Sequence, residues 1–278
     1  MKNTNLKDVF RKRDDKSHKG NYGKVLIYAG SESYPGAAFL ACKSALKSGV
    51  GQVILANDDL NKTMYTALPE VTYIKRDLKK SNLIDLNIKS ILFGNGLEYP
   101  NKTIAKDFSL MMKEFNHKLI IDATGLKYLK DYIKSGEKIS PEIIITPHIK
   151  EFCELIDINI KSSDVFDYVK EVERFLENYQ RMVVVLKSYE TLIKTRKQER
   201  IFSNPNSGFA HAGSGDALAG FISGLMAYSS SYSVDICYAS SFILNAALEK
   251  EEQIHSSMTT NASSILDYLP IVLKKYVD

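Results

Sequence analysis

The segment of this sequence best suited to chemistry is a glycine-rich string that runs directly into an apolar helical pattern. The string is Gly213-Ser214-Gly215-Asp216. Apolar residues at the spacing of one helical face follow it, namely Leu218, Ile222, Leu225 and Met226. The first N–H groups of a helix lack internal partners and carry partial positive charge, so a helix beginning near Gly215 predicts an anion hole over residues 213–215. The alternative is structural: the glycines shape a turn and Asp216 caps the helix.

Such an anion hole suits a bound phosphate or the charge that develops on a phosphoryl group in transfer. Two common phosphate-binding motifs are absent. No P-loop string, Gly-x-x-x-x-Gly-Lys-Ser/Thr, occurs in the chain. Gly94-Asn95-Gly96 follows a predicted strand, but Tyr99 stands where a Rossmann fingerprint needs its third glycine. Gly49-Val50-Gly51 leads into a strand rather than a helix. The sequence therefore disfavours P-loop enzymes and Rossmann dehydrogenases.

Short apolar runs that alternate with helical segments predict the elements that position this loop. The runs are 25–28, 53–55, 91–93, 119–121, 143–145 and 183–186. They are continuously apolar, as in parallel strands covered on both faces. Residues 37–48 predict the helix of a βαβ crossover closed by Gly49, and the runs 191–193 and 200–202 predict antiparallel hairpin strands at a sheet edge. The predicted fold class is α/β: a three-layer α/β/α sandwich with a mostly parallel central sheet, antiparallel edge strands and a mainly helical C-terminal part.

Two glycines, Gly220 and Gly224, lie four residues apart inside the helix that follows Asp216. Each lowers helix propensity by about 1 kcal/mol relative to alanine. We therefore expect close backbone packing at these positions, with the helix lying tight against the sheet.

Two polar residues are predicted at the carboxyl ends of strands, where α/β sheets bind ligands. His148 ends the string Thr146-Pro147-His148, and Lys187 follows the run 183–186. His148 is therefore a candidate ligand contact, and Lys187 could neutralise a phosphate. A surface or core histidine and a solvated lysine are the alternatives that these residues leave open.

The composition is that of a globular protein, with 278 residues, 44% apolar and 25% charged. With no linker, composition shift or repeat, one domain is predicted over residues 1–278. The net charge of +4 argues against a nucleic-acid partner. Cys42, Cys153 and Cys237 have no metal-ligand spacing. A signal peptide's apolar segment and any run of about 18 apolar residues are missing, so we expect no membrane partner and a cytoplasmic location.

Further short strings are spread over nearly the whole chain. They are His18-Lys19-Gly20, Gly23-Lys24-Val25, Ala29-Gly30-Ser31, Tyr34-Pro35-Gly36-Ala37-Ala38, Pro69-Glu70, Gly94-Asn95-Gly96-Leu97, Ile121-Asp122-Ala123, Thr146-Pro147-His148 with Glu151, and Asn206 with Gly208. Together with Gly213-Ser214-Gly215-Asp216 they resemble the ADP/ATP-dependent NAD(P)H-hydrate dehydratases. The His-Lys-Gly and Pro-Gly-Ala strings are fairly specific for this family, whereas Gly-x-Gly-Asp before a helix is shared across the ribokinase-like superfamily.

The resemblance implies a ribokinase-like fold and a lyase that repairs reduced nicotinamide cofactors after they have taken up water. The implied reaction is the ADP- or ATP-dependent dehydration of the S epimer of NADH hydrate or NADPH hydrate, releasing phosphate and AMP or ADP. It implies Mg²⁺ as cofactor, ADP or ATP as co-substrate, and a homo-oligomer. Some relatives carry an epimerase domain ahead of this one, and here we expect the epimerase to be a separate protein that acts on the same metabolite.

Matched residue by residue, the resemblance implies that Asp216 is the base that takes the hydroxyl proton of the hydrate. The backbone N–H groups of Ser214 and Gly215 would stabilise charge on the transferring phosphoryl group. The implied substrate-binding residues are Ala37, Gly96, His148 and Asp216. The implied nucleotide-binding residues are Lys187, Ser188, Tyr189, Glu190, Thr191 and Gly215. No metal ligands are implied by the match.

Departures from the family pattern bear on substrate and nucleotide preference more than on reaction type. Ser188 stands where relatives usually have glycine after the lysine, and Glu98 where another glycine is common. Ile149-Lys150 replaces a frequent Pro-Gly, and Thr124-Gly125 replaces Asp-Ala after Asp122.

Two other functions share these residues. A ribokinase-like kinase for a vitamin precursor or sugar would use Asp216 and its glycines but would leave a phosphorylated product. A non-catalytic nucleotide-binding or regulatory protein would bind without turnover. Release of free phosphate, as opposed to a stable phosphoester, separates the dehydratase from the kinase.

Overall fold

A computed structural model describes residues 6–10, 12–58 and 66–277 of the chain. In these ranges the strands are β1 Lys24–Tyr28, β2 Gln52–Ala56, β3 Thr72–Ile74, β4 Ser90–Phe93, β5 Lys118–Ile121, β6 Glu142–Ile145, β7 Met182–Lys187, β8 Glu190–Lys194 and β9 Glu199–Ser203. The α-helices are α1 Leu6–Val9, α2 Pro35–Lys47, α3 Lys80–Asp85, α4 Lys102–Glu114, α5 Gly125–Ser135, α6 Ile149–Leu155, α7 Val169–Asn178, α8 Ser214–Met226, α9 Ser233–Glu252 and α10 Ala262–Val277. Short 3₁₀ helices lie at Lys19–Tyr22, Val165–Tyr168 and Ser207–Phe209.

The strands of the described residues form one nine-stranded sheet in the order β3-β2-β1-β4-β5-β6-β7-β8-β9. All neighbours from β3 to β7 are parallel, and β8 and β9 form an antiparallel edge. The chain lays down β1, β2 and β3 in one direction and then returns to place β4 on the other side of β1. The order therefore reverses between β1 and β4, and crevices at such switch points are where α/β sheets bind ligands.

Hydrophobic cores cover both faces of the sheet. Val25 and Ile27 of β1 lie in the core shared with α2, α8, α9 and α10. Their neighbours Leu26 and Tyr28 lie in the opposite core, with residues of α3 to α7. The alternation of successive strand side chains between the two cores confirms the predicted three-layer sandwich.

Helices α2 and α8 pack backbone against backbone. A Cβ atom added at Gly220 would lie 2.3 Å from the carbonyl oxygen of Ala41, and one added at Gly224 would lie 2.0 Å from Ser48 Oγ. The expected close packing is present, although these two glycines face α2 rather than the sheet. Helix α8 also contacts β1, β4 and β5. The packing of α8 on α2 therefore helps to set the distance between α8 and the central strands.

The local predictions differ from the structure in two places. Helix α2 begins at Pro35, two residues before the predicted start, with proline in the first turn where its missing N–H costs nothing. Strand β3 was not predicted, because Thr72–Ile74 is only three residues long and half exposed at the sheet edge. Gly49 adopts φ +89° after α2, as expected of a helix end. Across the described ranges, no helix combines the length and apolarity needed to cross a membrane.

Candidate active site

The loops that follow β1 and β4 meet at the switch point of the sheet. Gly30 N donates a 2.7 Å hydrogen bond to the backbone oxygen of Asn95. Gly30 adopts φ +81°, and a Cβ atom there would lie 2.8 Å from Ala38 Cβ. The buried Arg76 guanidinium donates to the backbone oxygens of Ala29 and Gly30. These hydrogen bonds fix the backbone of the loop after β1. The same backbone lies close to α2.

A buried polar cluster occupies the carboxyl ends of β4 to β7. The amide nitrogen of Asn95, which follows β4, donates to Asp122 Oδ2 over 2.8 Å. The other oxygen of Asp122, at the end of β5, accepts hydrogen bonds from Thr146 Oγ1 at 2.7 Å and from Lys187 Nζ at 3.1 Å. Asp122 is almost fully buried, so these three donors compensate its carboxylate. They also hold Lys187 at the edge of the crevice.

Asp216 joins this cluster from the first turn of α8. Asn95 also donates its second amide hydrogen to Asp216 Oδ1, with a nitrogen-to-oxygen distance of 2.6 Å. Gly213 precedes α8 with φ +92°, and a Cβ atom there would lie 2.3 Å from Leu40 Cδ1. Glycine is therefore required at residue 213 both by backbone conformation and by space. The turn aims the start of α8, and Asp216 with it, at the strand ends.

The environment of Asp216 favours a carboxyl group that exchanges its proton near neutral pH. Burial raises the pKa of Asp216 to about 6, and the negative charge of Asp122 adds to the rise. The hydrogen bond from Asn95 and the positive charge of Lys187 act in the opposite direction. A carboxylate of this kind is ionised at pH 7 and is a stronger base than an exposed aspartate.

A cleft of about 380 Å³ lies beside the start of α8. Its lining includes five of the six residues predicted on the nucleotide side, namely Lys187, Ser188, Tyr189, Thr191 and Gly215, together with Ser214 of the predicted anion hole. His148 also lines it. A Cβ atom at Gly215 would lie 3.4 Å from Lys187 Nζ, so the space above this glycine opens toward the lysine ammonium. The cleft thus brings a cation and a helix N-terminus to one place, which suits a phosphate.

Glu190 differs from the other predicted nucleotide-side residues. Its carboxylate accepts a hydrogen bond from Ser203 Oγ across the β8–β9 pair. Ser188, which departs from the family pattern, donates through its hydroxyl to the backbone oxygen of Ser163 over 2.6 Å. The serine therefore ties the β7–β8 turn to a neighbouring loop.

Two of the predicted substrate-side residues, Ala37 and Gly96, lie against each other next to Asn95. Gly96 adopts φ +63°, and a Cβ atom there would lie 2.8 Å from Ala37 Cβ, so these two predicted residues are in contact. Gly96 directly follows Asn95, which bonds to Asp216. The structure thus brings Ala37 and Gly96 close to the candidate base.

His148 caps α6 and lies between two clefts. Its ring Nδ1 accepts a hydrogen bond from the backbone N–H of Glu151 at 3.2 Å, and the backbone N–H of His148 donates to the Glu151 carboxylate at 3.0 Å. Burial and the charge of Asp122 raise the pKa of Glu151. The second cleft, of about 630 Å³, has His148, Glu151, Thr124 and Lys150 in its lining. Two departures from the family pattern, Thr124 and Lys150, therefore line this second cleft.

A metal cage made only by the protein is not evident in the described ranges, where no group of three or more His, Cys, Asp or Glu side chains lies together. The paired carboxylates Asp122 and Asp216 are both hydrogen-bonded to Asn95. Mg²⁺ usually binds through one or two carboxylates together with substrate phosphates and water, which this donor set can accommodate.

The sequence reasoning assigned no role of their own to Asn95 and Asp122, although both lie in the cluster. The signal that could have found them is positional. Each follows a continuously apolar run, and the carboxyl ends of parallel strands meet at one edge of the sheet. The sequence analysis applied this rule only to the runs that precede His148 and Lys187. Applied to the other apolar runs as well, the rule also selects Asn95, Asp122 and Thr146.

The structure has a ribokinase-like fold, with a crevice that brings a lysine ammonium and a helix N-terminus together at the carboxyl ends of the strands. A ribokinase-like superfamily structure from Enterococcus faecalis superimposes with a TM-score of 0.84 at 24% identity, covering 98% of this chain and 94% of that one. A crystal structure of the ADP/ATP-dependent NAD(P)H-hydrate dehydratase from Bacillus subtilis, co-crystallised with ATP and Mg²⁺, superimposes with a TM-score of 0.77 at 26% identity, covering 98% and 96%.

The family is shown by the sequence comparisons. The family model described as NAD(P)H-hydrate dehydratase matches residues 25–270. The ADP-dependent (S)-NAD(P)H-hydrate dehydratase of Bacillus subtilis is 30% identical over 271 residues, which cover 95% of this chain and 94% of that protein. The bifunctional NAD(P)H-hydrate repair enzyme of Dictyoglomus turgidum is 28% identical, and the match covers 54% of its length. The chain belongs to the NAD(P)H-hydrate dehydratase family.

Proposed function

We propose that this protein dehydrates the S epimer of NADH hydrate or NADPH hydrate in a reaction driven by ADP or ATP. The observation that carries the proposal is the placement of Asp216. Its carboxylate lies in the first turn of α8, directly after Gly215, which lines the 380 Å³ cleft, and it accepts a hydrogen bond from Asn95, the chain neighbour of Gly96. A base between a nucleotide and a second substrate is the arrangement that phosphoryl transfer to a hydroxyl needs.

In the proposed reaction Asp216 accepts the proton of the hydrate hydroxyl while that oxygen attacks the terminal phosphorus of ADP. The bond from this phosphorus to the bridging oxygen of AMP breaks. Phosphate then leaves the ring carbon, assisted by the lone pair of the ring nitrogen, and loss of a proton from the adjacent carbon restores the double bond. The products are NADH or NADPH, phosphate and AMP.

The remaining groups stabilise the charge that moves. The N–H groups of Ser214 and Gly215 at the start of α8 and the ammonium of Lys187 face the region of the transferred phosphoryl group. Fixed donors of this kind need no reorganisation during the reaction, which is why one carboxylate with an anion hole can suffice. Bound Mg²⁺ would supply charge neutralisation of the nucleotide phosphates. Asp122 and Asp216 would be the carboxylates nearest to the bound Mg²⁺.

The deciding experiment is an incubation of the protein with NADH hydrate or NADPH hydrate, Mg²⁺ and either ADP or ATP. Recovery of the absorbance of the reduced nicotinamide, with one free phosphate released per cofactor restored, is the expected result. A stable phosphoester in place of free phosphate would instead identify a small-molecule kinase. Absence of recovery with both nucleotides, from protein that binds them, would leave only a binding role.

The Asp216→Asn variant tests the base directly. We expect a loss of about 10²–10⁴-fold in kcat, which is the usual contribution of general base catalysis. Nucleotide affinity should persist, because the backbone donors of residues 213–215 remain. Turnover and dissociation constant for ADP are measured on the same preparation. An equal loss of both would contradict the division of roles, and unchanged turnover would remove Asp216 as the base.

A further inference from the structure

The second cleft, of about 630 Å³, adjoins the predicted substrate contacts. Gly96 follows β4 and His148 follows β6, and the sheet order places β5 between these two strands. A ligand that contacts both residues therefore passes over the loop after β5. Ala123 and Thr124 of that loop line the second cleft, and His148 lines it as well. The second cleft is thus open to a ligand that occupies the predicted substrate site.

The hydrated ring is only one end of the proposed substrate. The proposed function places this ring at Asp216, and a ribose, a pyrophosphate and an adenosine extend from it. The cleft beside α8 is assigned to ADP or ATP, so the adenosine end of the dinucleotide needs a separate space. The second cleft offers that space, since its volume is within the usual range for small-molecule sites.

Two exposed lysines that line the second cleft have ammonium groups without a close carboxylate among the described residues. Lys127 Nζ lies 5.7 Å from the centre of the Tyr99 ring, which is a cation–π contact and leaves the charge of the lysine uncompensated. Lys150 Nζ lies 4.0 Å from the carboxylate of Glu154, at the outer limit of an ion pair. Both ammonium groups can therefore be reached by an anion in the cleft.

Other charged groups of the lining are already bound by the protein. Lys130 donates a hydrogen bond to the carboxylate of Asp157. Asp131 accepts a hydrogen bond from a tyrosine hydroxyl at 2.6 Å. Glu151 accepts one from the backbone N–H of His148. The cations of the lining that remain for a ligand are thus the two exposed lysines of α5 and α6.

The positions of these two lysines are not explained by the stability of their helices. Lys127 lies in the first turn of α5 and Lys150 in the first turn of α6, where the helix dipole favours acidic residues. Lys150 also stands where the family frequently has glycine. Helices α5 and α6 contact each other, and this contact brings both lysines to one cleft.

We propose that Lys127 and Lys150 bind the 2′-phosphate of NADPH hydrate, with the adenosine end of that substrate in the second cleft. The inference rests on the proposed dehydratase function and names its preferred substrate. A phosphate monoester carries a charge of about −1.5 to −2 at pH 7, and NADH hydrate has a neutral hydroxyl in its place. The two ammonium groups therefore favour NADPH hydrate, while the nicotinamide end is bound alike in both substrates.

Initial rates with the two hydrates at saturating ADP test this preference. The wild-type protein should favour NADPH hydrate by about tenfold or more in kcat/KM, since hydrogen bonds between charged groups contribute about this factor. Lys127→Met and Lys150→Met should each lower the preference by about threefold or more, through KM and not through kcat. The double variant should treat the two hydrates almost alike. Both side chains are exposed, so we expect these variants to fold.

The matched control is Lys134→Met. Lys134 lies two turns after Lys127 in α5, about 10 Å further along the helix axis, and is outside the lining of the second cleft. The substitution removes the same charge from the same helix. It should leave the preference for NADPH hydrate unchanged. A loss as large as that in Lys127→Met would assign the preference to overall charge and would overturn the inference.

Dissociation constants for NADPH and NADH separate the phosphate subsite from the reaction, because their binding needs no turnover. Tighter binding of NADPH that weakens in both lysine variants, from a protein that dehydrates neither hydrate, would refute the proposed function and support the subsite. Equal kcat/KM values for the two hydrates in the wild type would refute the subsite and leave the proposed function intact. Equal losses for both hydrates in the lysine variants would assign the lysines to the pyrophosphate and would also overturn the inference.

Discussion

Asp216 combines two requirements that conflict in an exposed aspartate. A proton acceptor needs a pKa near the working pH, and it must still be ionised when the substrate arrives. Burial in the crevice meets the first requirement by raising the pKa of Asp216 to about 6. Asn95 and Lys187 meet the second, because both favour the charged form. The balance among these few groups therefore sets the pH range in which the site can work.

The pH–rate profile follows from this balance. Asp216 must be unprotonated to accept a proton, so kcat/KM should be constant above about pH 7 and fall with decreasing pH through about 6. The slope below the midpoint should approach tenfold per pH unit. Initial rates with saturating ADP and limiting hydrate measure this limb. A flat profile down to pH 5 would show that another group controls the rate. The residual activity of Asp216→Asn, measured in parallel, should lack the limb.

At the scale of elements, the site depends on how closely α8 can approach its neighbours. Strands β4 to β7 supply Asn95, Asp122, Thr146 and Lys187 from their carboxyl ends, and α8 supplies Asp216 from its first turn. The distance between Asp216 and the strand ends depends on the packing of α8 on α2. At this contact, glycines remove the side chains that would separate the two backbones. The helix that carries the candidate base is thus placed by residues one to two turns further along.

Substitution of these packing glycines should destabilise the protein even though alanine is the better helix former. Gly224→Ala would bring a methyl group within 2.0 Å of Ser48 Oγ, and Gly220→Ala within 2.3 Å of the Ala41 carbonyl oxygen. Overpacking of this kind costs about 1–3 kcal/mol. We therefore expect a lower free energy of unfolding for both variants, measured by urea denaturation.

The matched control for this prediction is Gly36→Ala. Gly36 lies in α2, and a Cβ atom there would meet nothing within 4 Å. Its free energy of unfolding should equal that of the wild type or exceed it by up to about 1 kcal/mol, from helix propensity alone. If Gly220→Ala and Gly224→Ala were as stable as Gly36→Ala, the helix contact would not be what these glycines provide.

At the scale of the whole molecule, we expect anionic ligands to be bound by local groups and not by overall charge. The net charge is +4 over 278 residues, too small a field to attract polyanions. The positive groups that line the cleft beside α8 are the ammonium of Lys187 and the N-terminus of α8. Ligand affinity should therefore respond strongly to changes in the cleft and weakly to changes in distant surface charge.

Thermal denaturation with ADP tests this view on the intact protein. A ligand that binds only the folded state at about 100 times its dissociation constant adds roughly 2.7 kcal/mol of stability. For a chain of this size, that corresponds to an increase in Tm of roughly 5 °C. The increase should persist in Asp216→Asn and be smaller in Lys187→Met. An ADP-independent Tm at millimolar concentrations would argue that the cleft does not bind the nucleotide.

Much of the architecture could be predicted because its signals are local. A continuously apolar run such as 143–145 identifies a doubly covered strand by itself, and Gly213-Ser214-Gly215 before an apolar face identifies a helix start. Strand β3 has no such signal, since Thr72–Ile74 gains its structure by pairing with β2 at the edge. Short, half-exposed segments of this kind take their conformation from their neighbours.

The sequence by itself determined the sheet-forming runs, the helix start for which an anion hole is predicted, and through short strings the likeness to a dehydratase family. Only the tertiary structure decided which polar residues act together. Asn95 and Asp216 are 121 positions apart in the chain and 2.6 Å apart in space. Hydrogen bonds of that kind depend on the distance between α8 and the strand ends. That distance is a product of packing over the whole core, and no local pattern encodes it.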